Sequence, residues 1–143
     1  MAARKAKQLG GLPAHLLPLQ RMLPHKGGFG LETATNLQRA ICPSLDGEDI
    51  GELWDDPEVQ AGFGGMKPEA WRPAKFVIAA AIRCAKSMII AAKAICLSQT
   101  VDLTGVTVGD EIRIPILAPE KDEARAVFSH IVGHLYNKPL LLP

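Results

Sequence analysis

One stretch of the sequence, residues 76–97, restricts the possible folds more than any other. It contains an apolar segment over 76–82, a loop that ends in Lys86-Ser87, and an apolar segment over 88–97 that only Lys93 interrupts. A short apolar run is typical of a buried strand, and a longer run that is apolar on nearly every side is typical of a buried helix. The stretch therefore predicts a strand, a loop and a buried helix, with the Lys-Ser pair at the start of the helix.

The loop in this stretch has the residue order of a phosphate-binding loop. Backbone N–H groups at a helix N-terminus face a bound anion, a lysine adds positive charge, and a hydroxyl can hold Mg²⁺. In the register G-x-x-x-x-G-K-[ST], Ala80 and Ala85 occupy the two glycine positions. The loop is therefore a degenerate Walker A motif, and the alternative interpretation is an ordinary start of a buried helix.

The two alanines also predict the conformation of the loop. A Cβ atom at positive φ costs roughly 1–2 kcal/mol, whereas alanine has the highest helix propensity of any residue. We therefore expect the loop to relax into an early turn of the helix. The helix would then begin at or before Ala85, and the anion cradle would be only partly formed.

Composition and charge indicate a single globular domain. The chain has 143 residues, of which 48% are hydrophobic and 22% are charged, and its net charge of +1 favours neither nucleic acid nor a membrane surface. Arg83, Lys86 and Lys93 within the apolar stretch disfavour a membrane span. The three cysteines lack C-x-x-C spacing and are therefore expected to be reduced thiols.

Residues 1–46 are predicted to form an irregular arm, and residues 47–143 the domain itself. Proline and glycine interrupt any helix in the arm after a turn or two, leaving a short turn over 16–23 and a helix over 31–41. The acidic segment 46–63 opens the domain. It is expected to be a solvated face, with a metal site as the alternative.

A second strand and helix follow the central stretch. Ile112–Leu117 is predicted to be a strand. Pro119, followed by acidic residues in the first turn, predicts a helix that continues to about Leu135. Two strand–helix units in succession predict an α/β fold with a parallel sheet. Two strands are too few for a stable sheet. The predicted fold is therefore an incomplete P-loop-type parallel sheet with flanking helices and an irregular N-terminal arm.

Residues 53–135 resemble the N-terminal part of the ATPase domain of the large terminase subunit, the DNA-packaging motor of tailed bacteriophages and prophages. The resemblance rests on Trp71-Arg72-Pro73, the loop over 81–87, the alanine-rich helix after it, and the segment 109–125. That family's loop typically reads Gly-Arg-x-x-Gly-Lys-Ser. Arg83, Lys86 and Ser87 match it by type, whereas the alanines at 81 and 85 depart from it.

The resemblance implies a site for ATP and Mg²⁺. Lys86 would be the catalytic residue at the β- and γ-phosphates, Ser87 would hold Mg²⁺, and Trp71 would lie beside the adenine. The implied nucleotide-binding residues are Arg83, Cys84, Ala85, Lys86 and Ser87. The implied partners are the small terminase subunit, the portal and double-stranded DNA, in the cytoplasm of a bacterial host and without a membrane.

Two features of that family are missing from the sequence. No apolar run ending in Asp-Glu follows Lys86, and the carboxylate-rich nuclease part is absent. We therefore expect the chain to be inactive as an enzyme on its own. The alternative function is a non-enzymatic interaction module, or a truncated gene product, whose apolar helices need a partner chain or self-association.

Three other side chains have a chemical and a structural interpretation. His130 and His134 have the spacing of zinc ligands on one helix face, but without a third ligand they are expected to face solvent. Cys84 is expected to fill the loop rather than to act as a nucleophile. Trp71 has the alternative role of a plug at the edge of a small core.

Overall fold

The computed structural model describes residues 8–9, 12–13, 19–71, 73–81, 84–107 and 109–137, with the backbone alone at 8–9 and 12–13. Two short strands, β1 (Gln8–Leu9) and β2 (Leu12–Pro13), pair in antiparallel orientation. The helices are α1 (Leu19–Met22), α2 (Asn36–Asp46), a 3-10 helix (Gly51–Asp55), α3 (Pro57–Gly62), α4 (Lys86–Thr100) and α5 (Lys121–Asn137). The described part of the chain is therefore predominantly helical.

The sequence of α2 fixes both of its ends. Thr35 is the N-cap: its Oγ1 accepts the N–H of Gln38 at 3.3 Å, and the Oε1 of Gln38 accepts the N–H of Thr35 at 2.9 Å. This reciprocal capping box satisfies two N–H groups that the helix itself cannot. At the other end, Gly47 has φ 77° and donates its N–H to the carbonyl of Pro43. A left-handed glycine is a common helix stop, so α2 ends there.

The main core lies between α1, α2 and α4. Its buried residues are Leu19, Met22, Leu23, Phe29, Ala34, Cys42, Ile89, Ala92, Ile95 and Cys96. Helix α5 packs along α4 and contributes the half-buried Ile131 and Leu135 to this core. A second cluster, formed by Ala40, Ile50 and Val59, joins α2 to the 3-10 helix and α3. The two clusters place α2 at the centre of the packing.

Gly28 allows the turn between α1 and α2 to close tightly. Phe29 donates its N–H to the Met22 carbonyl at 3.0 Å, and Leu31 donates to the Leu23 carbonyl at 2.9 Å. A Cβ atom on Gly28 would lie 2.4 Å from the carbonyl oxygen of Met22. Only glycine fits there without moving the backbone, and the turn delivers Phe29 into the core.

Asp46 joins three helices at the end of α2. Its Oδ2 accepts the N–H of Leu19 at 3.2 Å, and its Oδ1 forms an ion pair with Lys93 of α4. The paired side chains are 17% and 15% exposed. Little water screens such a pair, and removal of either partner leaves a mostly buried charge alone. This carboxylate therefore holds α1, α2 and α4 together.

The predicted parallel sheet is wrong. Residues 76–81 and 112–117 were expected to be its strands, but both lie outside helix and sheet, and no backbone hydrogen bond joins them within the described ranges. Val77 is 89% exposed and Leu117 is 91% exposed. The physical reason is that α1, α2 and α5 cover α4, and a strand without neighbouring strands has no ladder to bury it.

Within the predicted arm, residues 19–46 contain α1 and α2 and supply six of the ten buried residues of the main core. The helix expected over 31–41 begins instead at Asn36, directly after its N-cap Thr35. It also continues past Pro43, a residue that has no N–H group for the hydrogen bond to the preceding turn. The domain boundary at residues 46 and 47 stays a prediction, although the core contains residues from both sides of it.

Candidate phosphate-binding loop

The loop before α4 ends at Ala85, whose backbone is left-handed with φ 57° and ψ 16°. Among the described residues it is the only non-glycine residue with positive φ. The carbonyl of Ala85 accepts the N–H of Ile89 at 2.9 Å, and α4 itself begins at Lys86. The prediction of a relaxed loop, with the helix beginning at or before Ala85, is therefore wrong. The alanine takes the conformation that glycine would adopt without strain.

Lys86 folds back over the loop. Its Nζ lies 3.4 Å from the carbonyl oxygen of Ala80 and 3.4 Å from that of Ala81, and donates to both. The Lys86 side chain therefore links the start of α4 to the first residues of the loop. Because charge-assisted bonds to anionic oxygens are stronger than bonds to neutral carbonyls, an anion could displace these two acceptors.

The start of α4 has no side-chain cap, because Ala85 is the N-cap residue and offers no acceptor. The first-turn N–H groups of a helix lack intrahelical partners and carry its positive partial charge. Ser87 is the second residue of α4 and is half-buried. The uncapped N–H groups, the Lys86 ammonium group and the Ser87 hydroxyl therefore occur within one turn of each other.

Gln38 reaches the loop from α2. Its Nε2 donates to the carbonyl of Cys84 at 3.2 Å, across a separation of 46 residues. The sequence analysis missed this residue as a part of the site. The T-x-x-Q pattern of a capping box predicts that Gln38 lies in the first turn of a helix. Nothing in the neighbouring sequence shows that its side-chain amide contacts the loop.

The predicted site residues fall into three groups. Cys84, Ala85, Lys86 and Ser87 lie together at the start of α4, whereas Arg83 lies outside the described residues. Trp71 is 58% exposed, so it does not plug the core. No described contact brings its ring to the loop, and its role beside an adenine stays a prediction.

The thiols differ sharply in exposure. Cys84 is exposed, whereas Cys42 and Cys96 are buried in the main core. Burial, reinforced by the negative charge of Asp46, raises the pKa of both Cys42 and Cys96 to about 12. A thiol with so high a pKa carries almost no thiolate near neutral pH, so these two are chemically inert in the folded chain.

The histidine pair does not behave as two solvent-facing residues. His130 is exposed, but His134 is half-buried and packs edge-on against the ring of Phe29, with the ring centroids 5.2 Å apart. Within the described ranges no three His, Cys, Asp or Glu side chains are grouped as metal ligands. In those same ranges no helix is long and apolar enough to cross a membrane.

The acidic segment is engaged in local contacts. Asn36 donates its Nδ2 to Asp56 at 2.6 Å, and this bond, with the N–H of Glu58, lowers the pKa of Asp56. Asp49 pairs with Lys67 at 2.9 Å, and the hydrogen bond within that pair lowers the pKa of Asp49. Asp56 therefore links the start of α2 to the start of α3, and Asp49 is a surface partner of Lys67.

A shallow groove lies between residues 114–116 and α5. It has a volume of about 400 Å³ and is lined by Ile114, Ile116, Lys121, Ala124, Arg125 and Phe128. The floor is apolar and the rim carries two cations. Sequence reasoning placed Ile114 and Ile116 in a strand and so did not anticipate an open groove here.

The chain has no match among family models, curated proteins or solved structures.

Proposed function

We propose that the chain is a fragment related to the large terminase subunit and that its loop over 80–87 binds the phosphates of ATP. One observation supports this most: the Lys86 ammonium group spans the Ala80 and Ala81 carbonyls at 3.4 Å, above a helix start whose N-cap, Ala85, is left-handed. That arrangement gathers positive charge and unpaired N–H groups at one place. Both favour an anion.

The described residues at the end of the loop have distinct roles in this proposal. Lys86 contacts the β- and γ-phosphates, and the backbone of residues 84–87 surrounds them, whereas Arg83 is assigned by the resemblance alone. Ser87 is the one protein ligand that the loop offers to Mg²⁺, which neutralises phosphate charge when bound and takes its remaining ligands from phosphate and water. Trp71 is proposed for the adenine side.

The wider assignment follows from the resemblance. We propose the small terminase subunit, the portal and double-stranded DNA as partners, and the cytoplasm of a bacterial host as the location. The loop would then be the remnant of a motor's nucleotide site. Hydrolysis is not part of the proposal for this chain alone, since its sequence contains no apolar run ending in Asp-Glu after Lys86.

Calorimetric titration with ATP and Mg²⁺ tests the proposal directly. Lys86→Met removes the ammonium group that spans the loop, and Lys75→Met, at an exposed lysine before the loop, is the matched control for charge. We expect Lys86→Met to weaken ATP binding by about tenfold or more, equivalent to about 1.4 kcal/mol, and Lys75→Met to leave it unchanged. Equal heats from the parent and Lys86→Met would contradict the proposal.

The groove between residues 114–116 and α5 supports a second candidate function, self-association. Ile114 is 45% exposed and Phe128 is 57% exposed, so the apolar floor faces water. Lys121 and Arg125 on the rim alternate with Asp122 and Glu123 on the same turns of α5. A two-fold related copy can place its acidic residues against these cations while it covers the floor, which makes a second copy of this chain the occupant that fits.

Sedimentation velocity over an approximately hundredfold range of concentration tests the second candidate. Phe128→Ser removes the aromatic ring from the groove. Tyr136→Ser removes an aromatic ring that is 84% exposed on the same helix and is not among the groove-lining residues. We expect a concentration-dependent dimer in the parent and in Tyr136→Ser, and a monomer in Phe128→Ser. A parent that stays monomeric throughout would exclude this function.

A further inference from the structure

The side chain of Gln38 makes two hydrogen bonds in different directions. Its Oε1 accepts the N–H of Thr35 at 2.9 Å, and its Nε2 donates to the carbonyl of Cys84 at 3.2 Å. One planar amide therefore connects the N-cap of α2 to the loop that precedes α4. The first bond belongs to the capping box, and the second has no role in α2.

The bond to Cys84 fixes the peptide group that joins Cys84 to Ala85. In a trans peptide the carbonyl and the N–H point in opposite directions, and the described chain contains no cis peptide. With the Cys84 carbonyl directed toward Gln38, the N–H of Ala85 must point away from α2. The left-handed backbone of Ala85 then turns the chain into α4. Successive N–H groups across such a turn form a concave anion-binding nest.

We infer that Gln38 is a positioning residue for the phosphate-binding loop. It holds the peptide between Cys84 and Ala85 in the orientation that directs the Ala85 N–H into the nest, and it does so from outside the loop. The nature of the ligand, the phosphates of a nucleotide, rests on the proposed function. The positioning of the loop rests only on the contacts of Gln38, Cys84 and Ala85.

Three variants separate the loop bond from the cap. Gln38→Glu keeps an oxygen for the Thr35 N–H and removes the donor to Cys84, whereas Gln38→Met removes both bonds without adding charge. Thr35→Val removes the oxygen that accepts the Gln38 N–H at 3.3 Å and leaves the Gln38 amide in place. Thermal unfolding confirms that each variant folds before it is compared.

Amide hydrogen exchange measured by NMR reports on the stability of the loop in the absence of any ligand. The N–H of Ile89 bonds to the Ala85 carbonyl, and the N–H of Arg39 bonds to the Thr35 carbonyl, each at 2.9 Å. We expect both Gln38 variants to exchange Ile89 severalfold faster than the parent, and Thr35→Val to change Arg39 but not Ile89. Unchanged Ile89 exchange in Gln38→Met would overturn the positioning role.

Titration with ATP and Mg²⁺ reads the consequence for binding. We expect Gln38→Met and Gln38→Glu to weaken ATP binding by about tenfold, and Thr35→Val to remain within about twofold of the parent. If the parent binds no ATP, the proposed function fails while the exchange measurement still decides the positioning. If Ile89 exchange rises but ATP affinity does not change, the Gln38 bond stabilises the loop without serving the site, and the inference is overturned.

Discussion

Ala85 holds a backbone conformation that costs an alanine about 1–2 kcal/mol and costs a glycine much less. Three contacts maintain this conformation. Gln38 donates to the carbonyl of Cys84, and the N–H of Ile89 donates to the carbonyl of Ala85. Lys86 folds back across the loop. Strain that the surroundings maintain in this way tends to occur at binding sites. The residue is therefore the clearest single marker of the loop.

Replacing Ala85 with glycine should stabilise the chain. Ala85→Gly relieves the left-handed strain but adds freedom to the unfolded chain, so we expect the free energy of unfolding to rise by about 0.5–1 kcal/mol. Ala126→Gly, at an exposed position inside α5, should lower it by about 1 kcal/mol. Urea denaturation measures both. A loss of stability in Ala85→Gly would show that its φ is not strained.

Glycine at both motif positions should also improve ligand binding. In the Ala80→Gly/Ala85→Gly variant no Cβ atom stands between the backbone and a phosphate, so we expect tighter ATP binding than in the parent. The calorimetric titration described above measures it. If the double variant folds but binds ATP no more tightly than the parent, the two alanines do not limit phosphate binding by the loop, and this prediction is wrong.

The three cysteines should differ in reactivity. Cys84 is exposed and should react with iodoacetamide in the native chain, whereas Cys42 and Cys96 should react only after denaturation, because burial keeps them protonated and covered. Mass spectrometry of the labelled chain should find one modified cysteine natively and three in denaturant. Native labelling of Cys42 would show that α2 opens from the core.

At the scale of the helices, the Asp46–Lys93 pair links α2 to α4. Lys93→Met would leave the Asp46 carboxylate mostly buried and unpaired, and we expect it to lower the free energy of unfolding by roughly 1–3 kcal/mol, below the full cost of a completely buried pair. Lys67→Met breaks the exposed pair with Asp49 and should change stability by less than about 1 kcal/mol. Urea denaturation of both variants makes the comparison, and equal effects would refute the linking role.

Sequence reasoning identified the helices that carry strong patterns of their own. The apolar run after Lys86 and the acidic start after Pro119 predicted α4 and α5, and the structure contains both. The same reasoning failed at residues 76–81 and 112–117, because an apolar run requires burial without saying which neighbour provides it. It also missed the contact of Gln38 with Cys84, since no local pattern reports on a partner 46 residues away. In the loop, helix propensity alone predicted a relaxed Ala85, and the tertiary contacts around it prevailed.

At the scale of the whole molecule, stability should depend on pH at the alkaline end. The pKa of Cys42 and Cys96 rises from 9.0 to about 12 on folding. Between these values the unfolded chain binds fewer protons than the folded chain, so the free energy of unfolding falls as the pH rises through that window. Below about pH 9 both states are protonated, and this contribution is fully present.

Urea denaturation at pH 8 and at pH 10 measures the dependence, both values being about one unit from the unfolded pKa. Cys96→Ala should reduce the loss of stability between the two, whereas Cys84→Ala, at an exposed thiol, should leave it as in the parent. If the unfolding free energy falls by the same amount between pH 8 and pH 10 in all three proteins, groups other than Cys96 cause the loss.

The separation of Asp46 from Lys93 has a consequence for how the chain matures on the ribosome. The two partners are 47 residues apart, and the core residues of α1 and α2 all precede those of α4. Synthesis proceeds from the N-terminus at about 5–20 residues per second, so Asp46 leaves the ribosome roughly 2–9 seconds before Lys93 does. During that interval the apolar faces of α1 and α2 are exposed to whatever else surrounds the nascent chain. This interval ends when α4 emerges and covers those faces. Formation of α4 is therefore the step that commits the chain to its native packing.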